Sequence, residues 1–283
     1  MKAHRNLWQK AFCDPEEYMD YYFSHKALRS GVYSDYDDGK LCAMAYFTPY
    51  PAVFMGKKCK AHYIVGVATE AEYRHQRRMT RLLEQGIMVC HQEGSPLVFL
   101  SPEKPRVYQS LGFEGTYWRE TTTVTSGGSS WFRSISFNAL REKEKGNVAG
   151  FAGTMLAAEG FELYLEHSLM YYQEVVKEMN ALGGDVLVLY DDREIVAAVN
   201  YIYEDAQYEV TELICRPEMG KKVVETICAH LRTSFLIIDD SYFISDLEGD
   251  GISREKQEKP YIMYRTTSAE ESPVLKCYIN DIT

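Results

Sequence analysis

Twice along this chain the same order of segments can be read: apolar run, acidic turn, apolar run, loop, apolar run, loop, amphipathic helix, apolar run. In the first pass "YDDGK" is the turn, residues 41–48 and 62–69 read as strands, and Met79, Leu82, Leu83, Gly86, Ile87 and Cys90 fall on one helical face that stops at Gly94. "PLVFLS" is then a buried strand, and a short helix carrying Tyr108 precedes Gly112 and Phe113. The second pass is "GGDVLVLYDDREIVAAVNYIYEDAQYEVTELICRPEMGKKVVETICAHLRTSFLIIDD", with Val223, Val224, Ile227, Cys228 and Leu231 as the buried face of its helix. A segment order written twice predicts two copies of one unit. The expected class is α/β (α+β), two tandem units, each a twisted mixed sheet flanked by helices.

A length of 283 residues fits two such domains. "TTTVTSGGSSW", residues 121–131, has the composition of a connection, which divides the chain into 1–125 and 126–283. Smaller signals fill in the rest. Asp14-Pro15-Glu16-Glu17 predicts a helix start with Asp14 as its cap, Pro49 and Pro51 predict a break after the strand at 41–48, "LREKEKGN" (residues 140–147) predicts a solvated loop, and residues 151–179 read as helical.

Composition excludes several classes. With 46% hydrophobic and 25% charged residues the chain can bury sizeable cores. The N-terminus has no apolar run, and no stretch approaches the roughly 20 apolar residues of a membrane span, so a cytosolic protein with no membrane partner is expected. Seven cysteines without a CxxC pair read as buried free thiols, and neither Cys90 with His91 nor Cys228 with His230 lies near a second pair at ligand spacing, so no metal is expected. The net charge of −10 argues against nucleic acid and favours a cationic substrate. Homo-oligomerisation is left open.

The chemistry concentrates in "VGVATEAEYRHQRRMTRLL", residues 65–83, where a strand passes through the turn Arg74-His75-Gln76-Arg77-Arg78-Met79 into a helix. A helix start offers unpaired N–H groups and the positive end of a dipole, which suits phosphate. On spacing alone a solvated basic turn balancing Glu70 and Glu72, with these two as partners of Arg74, stands equally well.

This stretch, followed by "PLVFLSPEKPRVYQSLGF", resembles the acetyl-CoA motifs of the GNAT acyltransferase superfamily, whose pattern is a V-x-V-A-T/P strand, an R-x-x-G-x-M turn, a helix and a Y-x-x-x-G-F/Y segment. It is most similar to the branch of the mycobacterial enhanced-intracellular-survival aminoglycoside acetyltransferases, and "LWQKAFCDPEEYMDYYF" resembles that branch's opening. Its members join two GNAT-like units and usually a third, lipid-carrier-like domain, which this chain is expected to lack. The resemblance implies acetyl-CoA as cosubstrate. Val65, Gly66 and Val67 would lie along the pantetheine arm, and Arg74, His75, Gln76, Arg77, Arg78, Met79 and Thr80 around the pyrophosphate. Tyr108 would sit near the thioester sulfur. Arg77 departs from the pattern, standing where the family has glycine.

In the implied reaction a primary amine attacks the thioester directly, Val67 N–H serves the oxyanion and Tyr108, a phenol of reference pKa near 10, protonates the sulfur. The base would be water, a carboxylate or the terminus at Thr283. The second unit, with Glu218 where an anion would sit, is expected not to bind acyl-CoA but to form the far wall of the acceptor cleft. Acceptors of the right charge are an aminoglycoside-like polyamine, a lysine side chain or a small cationic metabolite. Among the many aromatics, Tyr46, Tyr50, Phe54 and Trp118 read as core or rim packing. A rival reading is a non-catalytic acyl-CoA-binding scaffold, favoured by Arg77 and by the absent third domain.

Overall fold

A computed structural model of the chain describes residues 1–240, 242–245, 247–268 and 272–280. The first half opens with helix α1 (Lys2–Phe12), then α2 (Glu16–Tyr21), a π-turn (Tyr22–Lys26) and α3 (Ala27–Arg29). Strands β1 (Gly31–Asp37), β2 (Lys40–Phe54) and β3 (Lys57–Thr69) lead to α4 (Arg78–Gln92), β4 (Leu97–Leu100), α5 (Pro105–Gln109) and β5 (Glu114–Tyr117). The second half runs β6 (Glu120–Thr125), β7 (Arg133–Ser136), α6 (Glu142–Ala158), β8 (Leu163–Leu165), α7 (Leu169–Ala181), β9 (Asp185–Asp191), β10 (Glu194–Glu204) and β11 (Gln207–Cys215). It closes with α8 (Gly220–Leu231), β12 (Phe235–Ile238), β13 (Ile252–Lys256), β14 (Ile262–Thr266) and β15 (Cys277–Tyr278).

Two mixed sheets result. The first has the order β15-β8-β2-β3-β4-β14-β5, with β1 also on β2; the second has β13-β6-β12-β11-β10-β9-β7. In each, a parallel pair follows the long amphipathic helix, with His62 and Tyr63 opposite Val98 and Phe99 in one, and Glu209 and Val210 opposite Ile237 and Ile238 in the other. The repeated order seen in the sequence is therefore repeated in space. The units also exchange a strand: β6, ending at residue 125, pairs with β12 and β13 in the second sheet, while β14 returns between β4 and β5 in the first.

Four local expectations change. Residues 121–125 are strand rather than connection, because β-branched Thr122 and Val124 point inward and are buried. Pro49 and Pro51 do not break β2, which pairs with β3 to Phe54. On its other edge β2 pairs with β1 only up to Phe47 and with β8 only from Ala52, so both prolines sit where no ladder N–H is needed. Residues 142–147 are the start of α6, where the Glu144 carboxylate accepts the Arg141 N–H at 2.9 Å in a capping box. Asp14 does not cap α2; its carboxylate accepts the Trp8 indole N–H at 2.6 Å and so ties α1 to the following turn.

α4 covers one face of the first sheet, burying Leu83, Ile87 and Cys90 on Phe47, Ile64 and Val98. Gly86 makes this possible, since a Cβ there would lie 2.3 Å from the Phe47 ring. α8 covers the second sheet in the same way through Val223, Val224 and Ile227. The other faces share one core, in which Trp8, Tyr22 and Tyr46 pack in a continuous cluster with Val148, Tyr172, Met179 and Val188.

Candidate active site

The site starts from a defect in β3. Tyr46 pairs with Val65 and Met44 with Ala68, so Gly66 and Val67 together face the single residue Ala45. This is a bulge, and Gly66 takes the left-handed backbone (φ 61°) that such a bulge requires. On the opposite side β3 parts from β4 beyond Tyr63, leaving the edge of residues 64–69 without a ladder. Trp8 lies against the bulge, and a Cβ at Gly66 would come within 2.2 Å of its ring. Gly66→Ala is therefore expected to cost about 2–4 kcal/mol, adding a left-handed penalty to overpacking. A melting temperature within 2 °C of the parent would contradict this.

Past the bulge the chain turns through His75 (φ 63°) and Arg77 (φ 56°) into α4. The conformation at Arg77 is the one a glycine would adopt, so the departure from the family pattern leaves the backbone path intact. α4 has no side-chain cap and no acid in its first turn, so the N–H groups of Arg78, Met79 and Thr80 have no intrahelical acceptor. Arg78 is held by Asp35 at 3.1 Å, by Gln76 at 3.1 Å and over the Tyr73 ring at 4.9 Å. Arg74 Nε donates to Thr69 O at 3.2 Å. It does not pair with Glu70 and Glu72 as the sequence suggests; Lys10 takes Glu70 at 2.6 Å and Lys40 takes Glu72. Among the described residues the Arg77 side chain has no hydrogen bond or ion pair.

Val67, Arg74, His75, Arg77, Arg78, Met79, Thr80 and Tyr108 line one cleft of about 590 Å³. Val65 and Gly66 are buried behind it, and Gln76 braces the turn, its amide donating to Glu72 O at 3.3 Å. Phe12, Glu103, Lys104 and Val107 also line the cleft and were not singled out from sequence. Phe12 and Val107 carry a signal only in three dimensions, as exposed apolar side chains, one ending α1 and the other on α5. Tyr46, Tyr50, Phe54 and Trp118 do not line it. The Tyr108 ring meets Phe113 edge-on at 6.0 Å, and burial, aided by the negative charge of Glu103, pushes its phenol up to about 12. Thr283 lies outside the described residues.

The matching place in the second unit is filled. Ile244 is fully buried against Gly220 at the start of α8, where a Cβ would stand 3.0 Å from its Cγ2. Arg254 holds this plug by donating to Ile244 O at 2.7 Å and Leu247 O at 2.8 Å. Glu218 is exposed beside it, at φ 64°.

A splayed parallel pair, a bulge at its mouth and an uncapped helix start meet at this cleft. Residues 1–116 match the family described as acetyltransferase (GNAT) domain. Across 94% of the chain the fold is that of a probable N-acyltransferase from Enterococcus faecalis V583, at 15% identity, a TM-score of 0.74 and 70% of that chain. Eis1 from Mycobacterium abscessus aligns over 95% of this chain and 71% of its own, at 11% identity and a TM-score of 0.63. Saccharomyces cerevisiae N-myristoyltransferase, solved with bound myristoyl-CoA, aligns over 93% and 78%, at 10% identity and a TM-score of 0.59. No curated protein matches the sequence. The whole chain thus shares its fold with these proteins, and no helix among the described residues is long and apolar enough to cross a membrane.

Proposed function

We propose that the chain is a cytosolic N-acetyltransferase that moves an acetyl group from acetyl-CoA to a primary amine of a small cationic or lysine-containing acceptor. The observation that carries this reading is the convergence of bulge, uncapped helix start and Tyr108 on one cleft. Acetyl-CoA supplies a thioester, and the chain supplies the rest. The N–H groups opening α4, with Arg74, His75 and Arg77 around them, receive the pyrophosphate. The bulge presents Val67 N–H to the carbonyl oxygen as negative charge develops there. As the C–N bond forms and the C–S bond breaks, Tyr108 gives its proton to sulfur and is reprotonated by water, while the amine proton leaves to solvent. The first unit would do this chemistry. The second, with its groove plugged by Ile244, would wall the acceptor side.

Calorimetric titration with acetyl-CoA, beside desulfo-CoA, tests the site, and CoA release driven by polyamines or lysine peptides tests the transfer. Saturable binding at one site is expected. Arg77→Gly should weaken that binding about fivefold, the worth of one exposed charge near a phosphate. Tighter binding would mean that the guanidinium crowds the cradle. Binding without CoA release by any amine would move the reading to a non-catalytic acyl-CoA-binding scaffold.

A further inference from the structure

The helix that carries Tyr108 has little of its own to hold it. α5 is five residues long, none of them is fully buried, and a helix of that length does not persist by its own hydrogen bonds. Its attitude, and with it the direction of the phenol, is therefore set at its ends. Pro105 opens it, and Val107 N–H closes a first turn on Lys104 O at 3.1 Å.

At the other end the chain reverses into β5, and the carbonyls there can be followed one by one. Tyr108 O accepts the N–H groups of Leu111 at 2.9 Å and Phe113 at 3.2 Å, and Gln109 O accepts that of Gly112 at 3.0 Å. Val107 O accepts the Ser110 hydroxyl at 2.8 Å. Leu111 O receives none of these donors. Arg265 serves it, its Nη1 donating at 2.7 Å from 154 positions further along the chain. The same side chain lies over Gly112 (φ 79°), where a Cβ would stand 3.7 Å from both its Cδ and its Nε. Among the described residues the guanidinium makes no ion pair and no second hydrogen bond. A cation beside the last carbonyls of a helix also interacts favourably with its dipole.

Arg265 is itself held in place. β14 pairs with β4 from Met263 to Thr266, with Arg265 opposite Val98, and with β5 from Ile262 to Tyr264. Thr267 N–H then donates to Pro96 O at 2.9 Å. Met263 is fully buried in the same core as Phe113, the ring that Tyr108 meets edge-on. Residues 263 and 265 project from one face of β14. One strand thus supplies both a member of the core on which the Tyr108 ring packs and the donor that closes the turn after its helix.

We infer that Arg265 is a positioning residue for Tyr108: by tying Leu111 O to β14 it fixes the turn after α5 and aims the phenol at the thioester sulfur. This role rests on the transferase reading, in which Tyr108 is the acid. The first unit then works only with the far end of the chain in place.

The test is made on the full chain with Arg265→Met, which keeps an unbranched stem over Gly112 and removes the donor, and with Arg265→Lys, which keeps a donor and the charge. Arg265→Met is expected to lower kcat for CoA release about tenfold, the effect of a reacting group slightly misplaced, with acetyl-CoA affinity within about twofold of the parent. Arg265→Lys should recover most of that loss. In a chain that already carries Tyr108→Phe, Arg265→Met should change kcat less than about twofold, since no phenol is left to aim. An equal loss in both backgrounds would make Arg265 a general support of the sheet and overturn the inference, as would an unchanged kcat in Arg265→Met. A further readout needs no turnover. In the chain labelled with fluorotyrosine, the fluorine NMR resonance that vanishes in Tyr108→Phe should move in Arg265→Met and return towards its place in Arg265→Lys. Turnover in the parent with that resonance unmoved would overturn the aiming role alone. Failure of every amine to release CoA would overturn the transferase reading and the role with it, whatever the resonance does.

Discussion

Replacing Tyr108 with phenylalanine is expected to lower turnover about 10²- to 10³-fold, the range of a lost general acid, while acetyl-CoA affinity stays within about twofold. The packing argument comes first. Tyr108 contributes a ring edge to Phe113, which phenylalanine keeps, and its hydroxyl makes no hydrogen bond among the described residues. Removing that oxygen leaves nothing buried and unpaired, so folding should be untouched. The protonation argument comes second. Burial and Glu103 push the phenol up to about 12, so it holds its proton through the working range and can act only as a donor. Turnover should rise with pH as the acceptor amine deprotonates, and no alkaline decline from Tyr108 should appear below about pH 11. The variant should keep that rising limb at a lower ceiling, with the loss in kcat rather than in acetyl-CoA affinity. Turnover within threefold of the parent would remove Tyr108 from the chemistry.

How much of this was legible beforehand depended on the range of the interaction that decides each element. α4 and its buried face were readable because period and burial coincide over about two and a half turns, at Leu82, Leu83, Gly86, Ile87 and Cys90. The cradle was readable because strand, turn and helix are contiguous in sequence. β6 was not, since "TTTVT" acquires a strand's environment only when β12 and β13 arrive from more than a hundred residues away. Prolines 49 and 51 misled for the same reason: a gap between two partner strands is a tertiary fact. The resemblance to a family pointed to Tyr108 and Arg77, but the backbone angle that lets arginine replace glycine appears only in three dimensions. Glu218 alone suggested an empty second unit, whereas the stronger obstacle, Ile244 on Gly220, lies outside any local motif.

The shared core between the units is fastened by a buried ion pair, and cutting it from one side should be the costliest single change outside the cleft. Lys26 Nζ, in the π-turn, lies 2.5 Å from Glu178 on α7, with side chains 2% and 3% exposed. Lys26→Met would remove the cation that faces the buried Glu178 carboxylate, at a cost of about 3–5 kcal/mol. At about 2–4 °C per kcal/mol, melting should fall by roughly 10–15 °C. Adding Glu178→Leu to the same chain removes the buried negative charge as well, and the double variant should recover to within about 1 kcal/mol of the parent. The cleft should not notice. Lys26 lines a small pocket with Pro49 and Pro51, which pair with His62 and Lys60, whereas Val67 lies five residues further along β3. At the rise of a strand that is about 16 Å away. Acetyl-CoA affinity measured well below the melting transition should therefore match the parent in both variants. A double variant no more stable than Lys26→Met would show that the pair contributes through packing rather than charge. Lost acetyl-CoA affinity in the single variant would show instead that the seam between the units shapes the cleft.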